Sequence, residues 1–209
     1  MTEDKIKNII KKYIPAEAVT QVVKWLIQYK VHLKITVPRR SILGNYRSPH
    51  GKYGHRISIN SNLNPYAFLL TFVHELAHLT TYEKYKHLVL PHGIEWKREF
   101  QKLMSIFFDK HIFPKEIEEA LQNYMSNPAA SSCRDENLMR LLKKYNKETH
   151  VIHLEEVAPN SYFQIDDGRI FLKGEKLRKN YKCIEQKTKK AYRIHGLMPV
   201  IPIKIKTST

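Results

Sequence analysis

The chain has 209 residues, with 36 Lys and Arg against 20 Asp and Glu, which gives a formal net charge of +16 and a pI of about 9.7. Hydrophobic residues make up 42% of the sequence, which is enough for a folded core and excludes a chain that is disordered throughout. A positive excess this large favours polyanionic partners, either nucleic acid or an anionic membrane surface.

The first part of the chain predicts two helices followed by short strands. Apolar side chains recur at three- and four-residue spacing over 6–13 and 19–27, with Pro15 between the two segments. Alternating apolar and polar residues over 33–37 predict a half-buried strand, and two further extended segments are expected at 43–46 and 56–60.

The middle of the chain predicts four more helices. Asn64-Pro65 is typical of a helix start, because Asn accepts hydrogen bonds from free amides and proline at the first helical position loses none. We expect this helix to run through Leu79, and further helices after Gly93, from Pro114 to about Tyr124 and over about 135–145.

From about residue 157 the pattern changes to short strands, with a turn at Asp166-Asp167-Gly168. The predicted fold class is therefore α+β, with a small three-stranded sheet among the helices and a β-rich C-terminal appendage.

Cysteine count and hydropathy indicate the cellular compartment. Two cysteines, Cys133 and Cys183, are too few for a disulfide scaffold or a four-cysteine zinc module. The residues after Met1 lack the apolar segment of a secretory signal, and no run of about 18 apolar residues predicts a membrane span. We therefore expect a cytoplasmic protein.

The clearest chemical signal is the motif His74-Glu75-Leu76-Ala77-His78. Histidines four residues apart on a helix project from one face and can bind one ion. Glu75 is offset by about 100° around the axis, where it can reach a metal-bound water without being a ligand. Zinc lowers the pKa of such a water to about 7, and the carboxylate can accept its proton. We predict one zinc ion here, with Glu75 as catalytic base.

A catalytic zinc site usually has three protein ligands, so the third must come from elsewhere in the chain. His87 and His92 are the nearest candidates. No packing fixes the direction of His87, whereas His92 precedes a helix that Trp96 and Phe100 would anchor in the core. We favour His92.

The HExxH motif, the His92-Gly93 pair fourteen residues after His78, and the aromatic Trp96 and Phe100 together resemble the SprT-like family, which includes bacterial SprT and the eukaryotic protease Spartan. The resemblance covers roughly residues 5–110, and Leu43-Gly44 is part of it. It implies a zincin-like metallopeptidase domain with zinc on His74, His78 and His92. It also implies cleavage of proteins associated with nucleic acid, with DNA favoured over RNA.

These patterns divide the chain into three parts. Residues 1–112 are the predicted metallopeptidase domain, 113–156 a helical connector with a linker near 127–132, and 157–209 a basic tail. Many SprT-like proteins carry a C-terminal zinc ribbon with four metal-binding residues. Only Cys183 stands in the corresponding segment, and Cys133, His153 and His195 match no familiar ligand spacing. We therefore expect a ribbon-like tail that has lost its metal.

The tail concentrates positive charge. Residues 169–193 hold ten Lys and Arg and two Glu, a balance of +8 in 25 residues. Lys and Arg interleaved with Tyr181 and Tyr192 favour contact with phosphates and stacking on unpaired bases. A membrane partner is not expected, because no helix there is both basic and apolar-faced. The candidate nucleic-acid-binding residues are Arg169, Lys173, Lys176, Arg178, Lys179, Lys182, Lys187, Lys189, Lys190 and Arg193.

Three functions remain open from the sequence. The preferred one is a zinc-dependent endopeptidase, with Tyr46 and Arg47 on an edge strand as candidates to line a substrate groove or steady an oxyanion. The second is a nucleic-acid-associated or transcription-linked binding protein whose zinc is structural, with little or no proteolysis. The third is a metallohydrolase that acts on a small molecule.

Overall fold

A computed structural model describes residues 2–39, 42–108, 110–126, 128, 135–146 and 152–203. The chain divides into two compact units, Met1–Lys147 and Glu148–Thr209. Helices and a three-stranded sheet form the first unit, and a five-stranded sheet forms the second. The α+β fold class is therefore confirmed. No helix in these ranges is long and apolar enough to cross a membrane.

The elements of the first unit overlap the segments in which the sequence predicts them. Its helices are α1 Glu3–Ile10, α2 Val19–Gln28, α3 Pro65–Tyr85, α4 Ile94–Phe108, α5 Lys115–Ser126 and α6 Glu136–Lys143. Its strands are β1 His32–Thr36, β2 Gly44–Arg47 and β3 Arg56–Asn60, and a short 3-10 turn, Ala16–Ala18, precedes α2.

The three strands pair in the order β1-β3-β2, with β1 parallel and β2 antiparallel to β3. Ile57 and Ile59 of β3 are fully buried in the core of the unit. Because β3 is central, β2 is an edge strand of this sheet, and one side of its backbone is not paired within it.

Helix α3 begins at the predicted cap. The side-chain oxygen of Asn64 accepts hydrogen bonds from the amides of Tyr66 and Ala67 at 3.1 and 3.0 Å, and its amide donates to the carbonyl of Leu142 at 2.7 Å. The sequence pattern predicts one apolar face, but the whole run 68–77 is buried. The reason is that α3 packs against the sheet and against α4, so that little of its surface meets water.

Helices α5 and α6 belong to the first unit, which corrects the predicted division. Ile117 and Leu121 of α5 and Leu138 and Leu142 of α6 are at most 3% exposed and lie in the same core as α3. An amphipathic helix must bury its apolar stripe, so these helices complete the core rather than connect two domains. The units therefore divide at residue 147, not at 112 and 156. The predicted linker lies outside the described residues except for Pro128, as does Cys133.

The second unit is an antiparallel sheet in the order β7-β6-β5-β4-β8. Phe163, Phe171 and Cys183 are at most 1% exposed in its small core. The predicted turn at 166–168 joins β4 to β5, with Gly168 at a φ of 86°. The strands are β4 Tyr162–Gln164, β5 Ile170–Leu177, β6 Asn180–Glu185, β7 Ala191–His195 and β8 Ile201–Ile203, and a 3-10 turn covers Leu154–Glu156.

Candidate metal centre

The structure brings together the three histidines that the sequence predicts as ligands. His74 and His78 project from α3, and His92 lies in the loop before α4. Their ligand nitrogens all lie within 4.8 Å of one another, and the Nε2 atoms of His74 and His92 are 3.2 Å apart. This group could hold a metal ion, and it is the only such cluster of three or more His, Cys, Asp or Glu in the described part of the chain.

A tight turn directs His92 into the cluster. His92 has a left-handed backbone with a φ of 59°, and the amide of Gly93 donates to the carbonyl of Leu90 at 2.9 Å. A Cβ at Gly93 would lie 3.0 Å from the same carbonyl, so the turn leaves little room for a side chain there. His87 is exposed, its ring lies 5.1 Å from that of Tyr82, and it is outside the cluster.

Trp96 forms the inner wall of the site. It is fully buried, and its ring centroid lies 4.7, 5.4 and 4.8 Å from those of His74, His78 and His92. Its other side stacks on Phe100 at 5.2 Å. The sequence predicts Trp96 as an anchor of α4 but not its contact with all three histidines. Its position in the first turn of α4, four residues after His92, is the signal that could have predicted its contact with that histidine.

Burial keeps the imidazoles neutral. Burial and the neighbouring histidines lower the pKa of His74 to about 3 and that of His78 to about 4. An imidazole must be unprotonated to bind a metal, so both rings have free lone pairs at neutral pH. The Nδ1 atom of His74 is buried without a hydrogen-bond partner among the described residues. Packing on Trp96 and Phe100, together with the contact between its Nε2 and Nε2 of His92, therefore orients this ring.

Glu75 follows His74 on α3 and is not itself part of the histidine cluster. Its side chain is buried, and the backbone amide of Tyr46 donates to its carboxylate. Burial raises the pKa of Glu75 to about 7, against the opposing effects of that hydrogen bond and the positive charge of Arg39. A carboxyl group with a pKa near neutrality can both accept and return a proton.

Gly44 allows β2 to approach Glu75. A Cβ at this position would lie 2.7 Å from both Oε1 of Glu75 and Cγ2 of Thr71, which is closer than a real Cβ contact. The glycine is needed for space, not for an unusual φ. A single glycine in a predicted strand indicates such a close approach, although the sequence did not identify Glu75 as its neighbour.

Arg39 is a residue that the sequence interpretation missed. Its guanidinium donates to Oδ1 of Asn60 at 2.8 Å and to Oγ of Ser58 at 3.0 Å, which ties the loop before β2 to β3. An arginine in a loop gives no periodic signal, so only the folded structure identifies its influence on the pKa of Glu75.

An open cleft of about 600 Å³ leads to the histidines. Tyr46 and Arg47 line it, at the place where the sequence suggested a substrate groove. The hydroxyl of Tyr46 lies 2.9 Å from Nδ1 of His55, whose Nε2 is 3.4 Å from Glu83. The other lining residues are Ser48, His50, Arg56, His78, Thr81, Tyr82, Lys86, His87, Val89, Leu90, Pro91, His92 and Trp96.

Comparisons with protein families, with curated proteins and with solved structures return no match for this chain. The resemblance to the SprT-like family therefore depends on the sequence motif alone, and the geometry described above is the independent basis for a function.

The second unit exposes nine of the ten predicted nucleic-acid-binding residues, and Lys173 is the exception. Lys173 is 3% exposed, donates to the carbonyls of Glu155 and Val157, and lies 4.2 Å from the ring centroid of Tyr181. Two carbonyls and an aromatic face replace water around its ammonium group. Tyr181 is itself only 9% exposed. The predictions that Lys173 contacts phosphate and that Tyr181 stacks on bases are therefore wrong.

Proposed function

We propose that this chain is a zinc-dependent endopeptidase of the SprT-like type that acts on proteins associated with nucleic acid. The observation that supports this most is the convergence of His74, His78 and His92 beside Glu75, a carboxyl group whose pKa lies near 7. A purely structural metal site has no use for such a group.

The three histidines fit zinc. Neutral imidazoles are suitable zinc ligands, and three protein ligands leave one coordination position free, as catalytic sites require. Trp96 closes the inner side of the cluster, while His78 and His92 line the open cleft. A zinc ion bound there supplies Lewis acidity, which activates water and polarises the scissile carbonyl.

The chain's own residues supply the remaining chemistry. Glu75 accepts a proton from the attacking water and returns it to the leaving amine. The amide of Tyr46 holds the Glu75 carboxylate in place. Because β2 is an edge strand and contributes Tyr46 and Arg47 to the cleft, an extended polypeptide can lie alongside it.

A second candidate function is nucleic-acid binding, which the nine exposed cations of the second unit favour. In this alternative the zinc is structural and the protein binds nucleic acid with little or no proteolysis. The same cations are compatible with an endopeptidase that nucleic acid brings to its substrates.

Metal analysis combined with a cleavage assay tests the proposal. The purified protein is expected to contain about one zinc ion per chain and to cleave an unfolded reporter protein, with and without single-stranded DNA. Glu75→Gln is expected to retain the zinc and lose cleavage, whereas the exposed Glu119→Gln on α5 is a matched control that retains both.

Two outcomes would contradict the endopeptidase. If Glu75→Gln cleaves at the parent rate, Glu75 is not the base. If the protein binds zinc and single-stranded DNA but cleaves no protein under any condition, the binding-protein alternative is correct.

A further inference from the structure

Two arginines face each other beside the metal cleft. Arg47 of β2 and Arg56 of β3 are direct partners in the antiparallel ladder, and both line the cleft. Like charges directly opposite on neighbouring strands destabilise a sheet. Within the described residues neither arginine forms an ion pair with a carboxylate, and Nε of Arg56 is buried without a hydrogen-bond partner. Arg56 does lie over the ring of Tyr53, at 5.0 Å from its centroid, and donates to the carbonyl of Ser48, but no carboxylate among the described residues offsets the charge of either arginine.

The other residues that line the cleft contribute further positive charge and no negative charge. Its lining includes a third cation, Lys86, but no Asp or Glu. Lys86 lies 3.3 Å from Glu83, so this lysine is partly neutralised, whereas the two arginines are not. A cleft lined with charge of one sign concentrates its field on whatever enters it. An anionic group is thus the natural counter-charge for Arg47 and Arg56.

We propose that Arg47 and Arg56 form an anion-binding subsite that selects an acidic side chain of the polypeptide substrate. The guanidinium group is planar and presents paired donors that match a carboxylate. A polypeptide is favoured over other anions because Arg47 lies on β2, the edge strand alongside which a substrate chain can extend. This inference rests on the proposed endopeptidase function.

The register along β2 limits which substrate residue the subsite contacts. Gly44 and the amide of Tyr46 both adjoin Glu75, and Arg47 ends the same strand. At a rise of about 3.3 Å per residue, Arg47 lies roughly 10 Å along the strand from Gly44. We therefore expect preference for Asp or Glu within about three residues of the scissile bond, and discrimination against lysine-rich segments.

The test uses the zinc-loaded Glu75→Gln protein, which should bind a peptide without cutting it. Short neutral peptides that carry one Glu, Gln or Lys at successive positions are compared by fluorescence anisotropy. We expect the best Glu peptide to bind about tenfold or more tightly than its Lys counterpart. The added change Arg47→Glu should reverse this order, and Arg47→Gln should abolish it. Lys34→Glu, which alters an exposed residue on the opposite edge of the same sheet, is the charge-matched control.

The outcomes separate the subsite from the activity. If the parent protein cleaves Glu and Lys peptides equally well, the subsite is wrong while the endopeptidase stands. If no peptide is cut but the Glu preference depends on Arg47, the subsite stands and the endopeptidase fails. If single-stranded DNA binds in an Arg47-dependent manner and no peptide shows a charge preference, the anion is a nucleic-acid phosphate and the assignment to polypeptide is overturned.

Discussion

Burial acts on His74 and Glu75 in opposite directions, although the two residues are neighbours in the chain. It lowers the pKa of the imidazole to about 3 and raises the pKa of the carboxyl group to about 7. Both shifts favour the neutral form, because desolvation penalises charge. The protein thus holds two neutral side chains in its interior, close to a cleft whose charged lining residues, Arg47, Arg56 and Lys86, are all cations.

The raised pKa of Glu75 predicts a pH-dependent loss of stability in the metal-free protein. The pKa rises from 4.5 to about 7 on folding, so the folded state holds this proton more tightly than the unfolded state. The free energy of unfolding therefore falls as the pH rises from about 4.5 to 7. Glu75→Gln removes this cost and should be more stable than the parent by about 2–3 kcal/mol at pH 8, and by less than about 1 kcal/mol at pH 5.

Urea unfolding with a chelator present, at both pH values, measures this difference. Glu119→Gln, on the surface of α5, should show no comparable change with pH. An equal effect of Glu75→Gln at pH 5 and pH 8 would show that the carboxyl group is not desolvated in the folded protein.

The choice between the two candidate third ligands predicts different metal affinities for two single variants. His92→Ala should weaken zinc binding by at least about a hundredfold, because it removes one of the three converging nitrogens. His87→Ala should leave the affinity within about twofold, since this ring contacts Tyr82 and lies outside the cluster. Competition with a chromophoric chelator measures both. The reverse order would assign the third ligand to His87.

At the scale of secondary-structure elements, the site depends on how closely β2 approaches α3. Gly44→Ala would place a Cβ 2.7 Å from the Glu75 carboxylate, so either β2 or the side chain of Glu75 must move. We expect a loss of about 1–3 kcal/mol in the free energy of unfolding and a clear fall in cleavage with zinc retained. Gly54→Ala is the matched control, because no atom lies within 4 Å of its added Cβ. Equal stability of the two variants would show that the space between β2 and Glu75 can accommodate a methyl group.

Single helices and the spacing of the histidines could be predicted, because their signals lie within short segments of the chain. The pairing of strands and the contacts between residues far apart in sequence could not. The Asn64 cap and the spacing of His74 and His78 require only the chain around them, and the structure contains both. The sequence suggested that the segment around Tyr46 is an edge strand, but the order β1-β3-β2 and the pairing of β2 with β3 are encoded in no single segment. For the same reason the contact of Gly44 with Glu75 was not predictable.

Lys173 shows a signal that was present and missed. Among the basic residues of the tail it looks like any other cation, since charge alone does not specify a face. On β5, however, it is two residues from Phe171 and so shares the inward face of the strand. The alternation of inward- and outward-facing side chains along β5, rather than the number of cations, distinguishes the buried Lys173 from the exposed lysines.

At the scale of the whole molecule, the candidate metal site and the predicted nucleic-acid-binding residues belong to different units. If the second unit binds nucleic acid, its affinity should fall steeply with salt. Arg193→Gln removes an exposed cation and should reduce the slope of log affinity against log salt by roughly 0.7–1. Lys173→Gln should leave the slope unchanged and lower the stability of the unit instead, because its ammonium group is internal.

Fluorescence anisotropy with single-stranded DNA over a series of salt concentrations measures these slopes, and thermal unfolding measures the stability. Equal slopes for the parent and Arg193→Gln would exclude Arg193 from the binding surface. A reduced slope for Lys173→Gln would mean that this lysine reaches the ligand.

The support that α5 gives to α4 has a practical consequence for anyone shortening the gene. The ring of Tyr124 lies 6.1 Å from that of Phe100, which in turn backs Trp96. An expression fragment that ends at residue 112 would lack α5 and leave apolar surface exposed, which favours aggregation. A fragment that runs to residue 147 keeps α5, and it would let metal binding by the three histidines be assayed apart from the second unit.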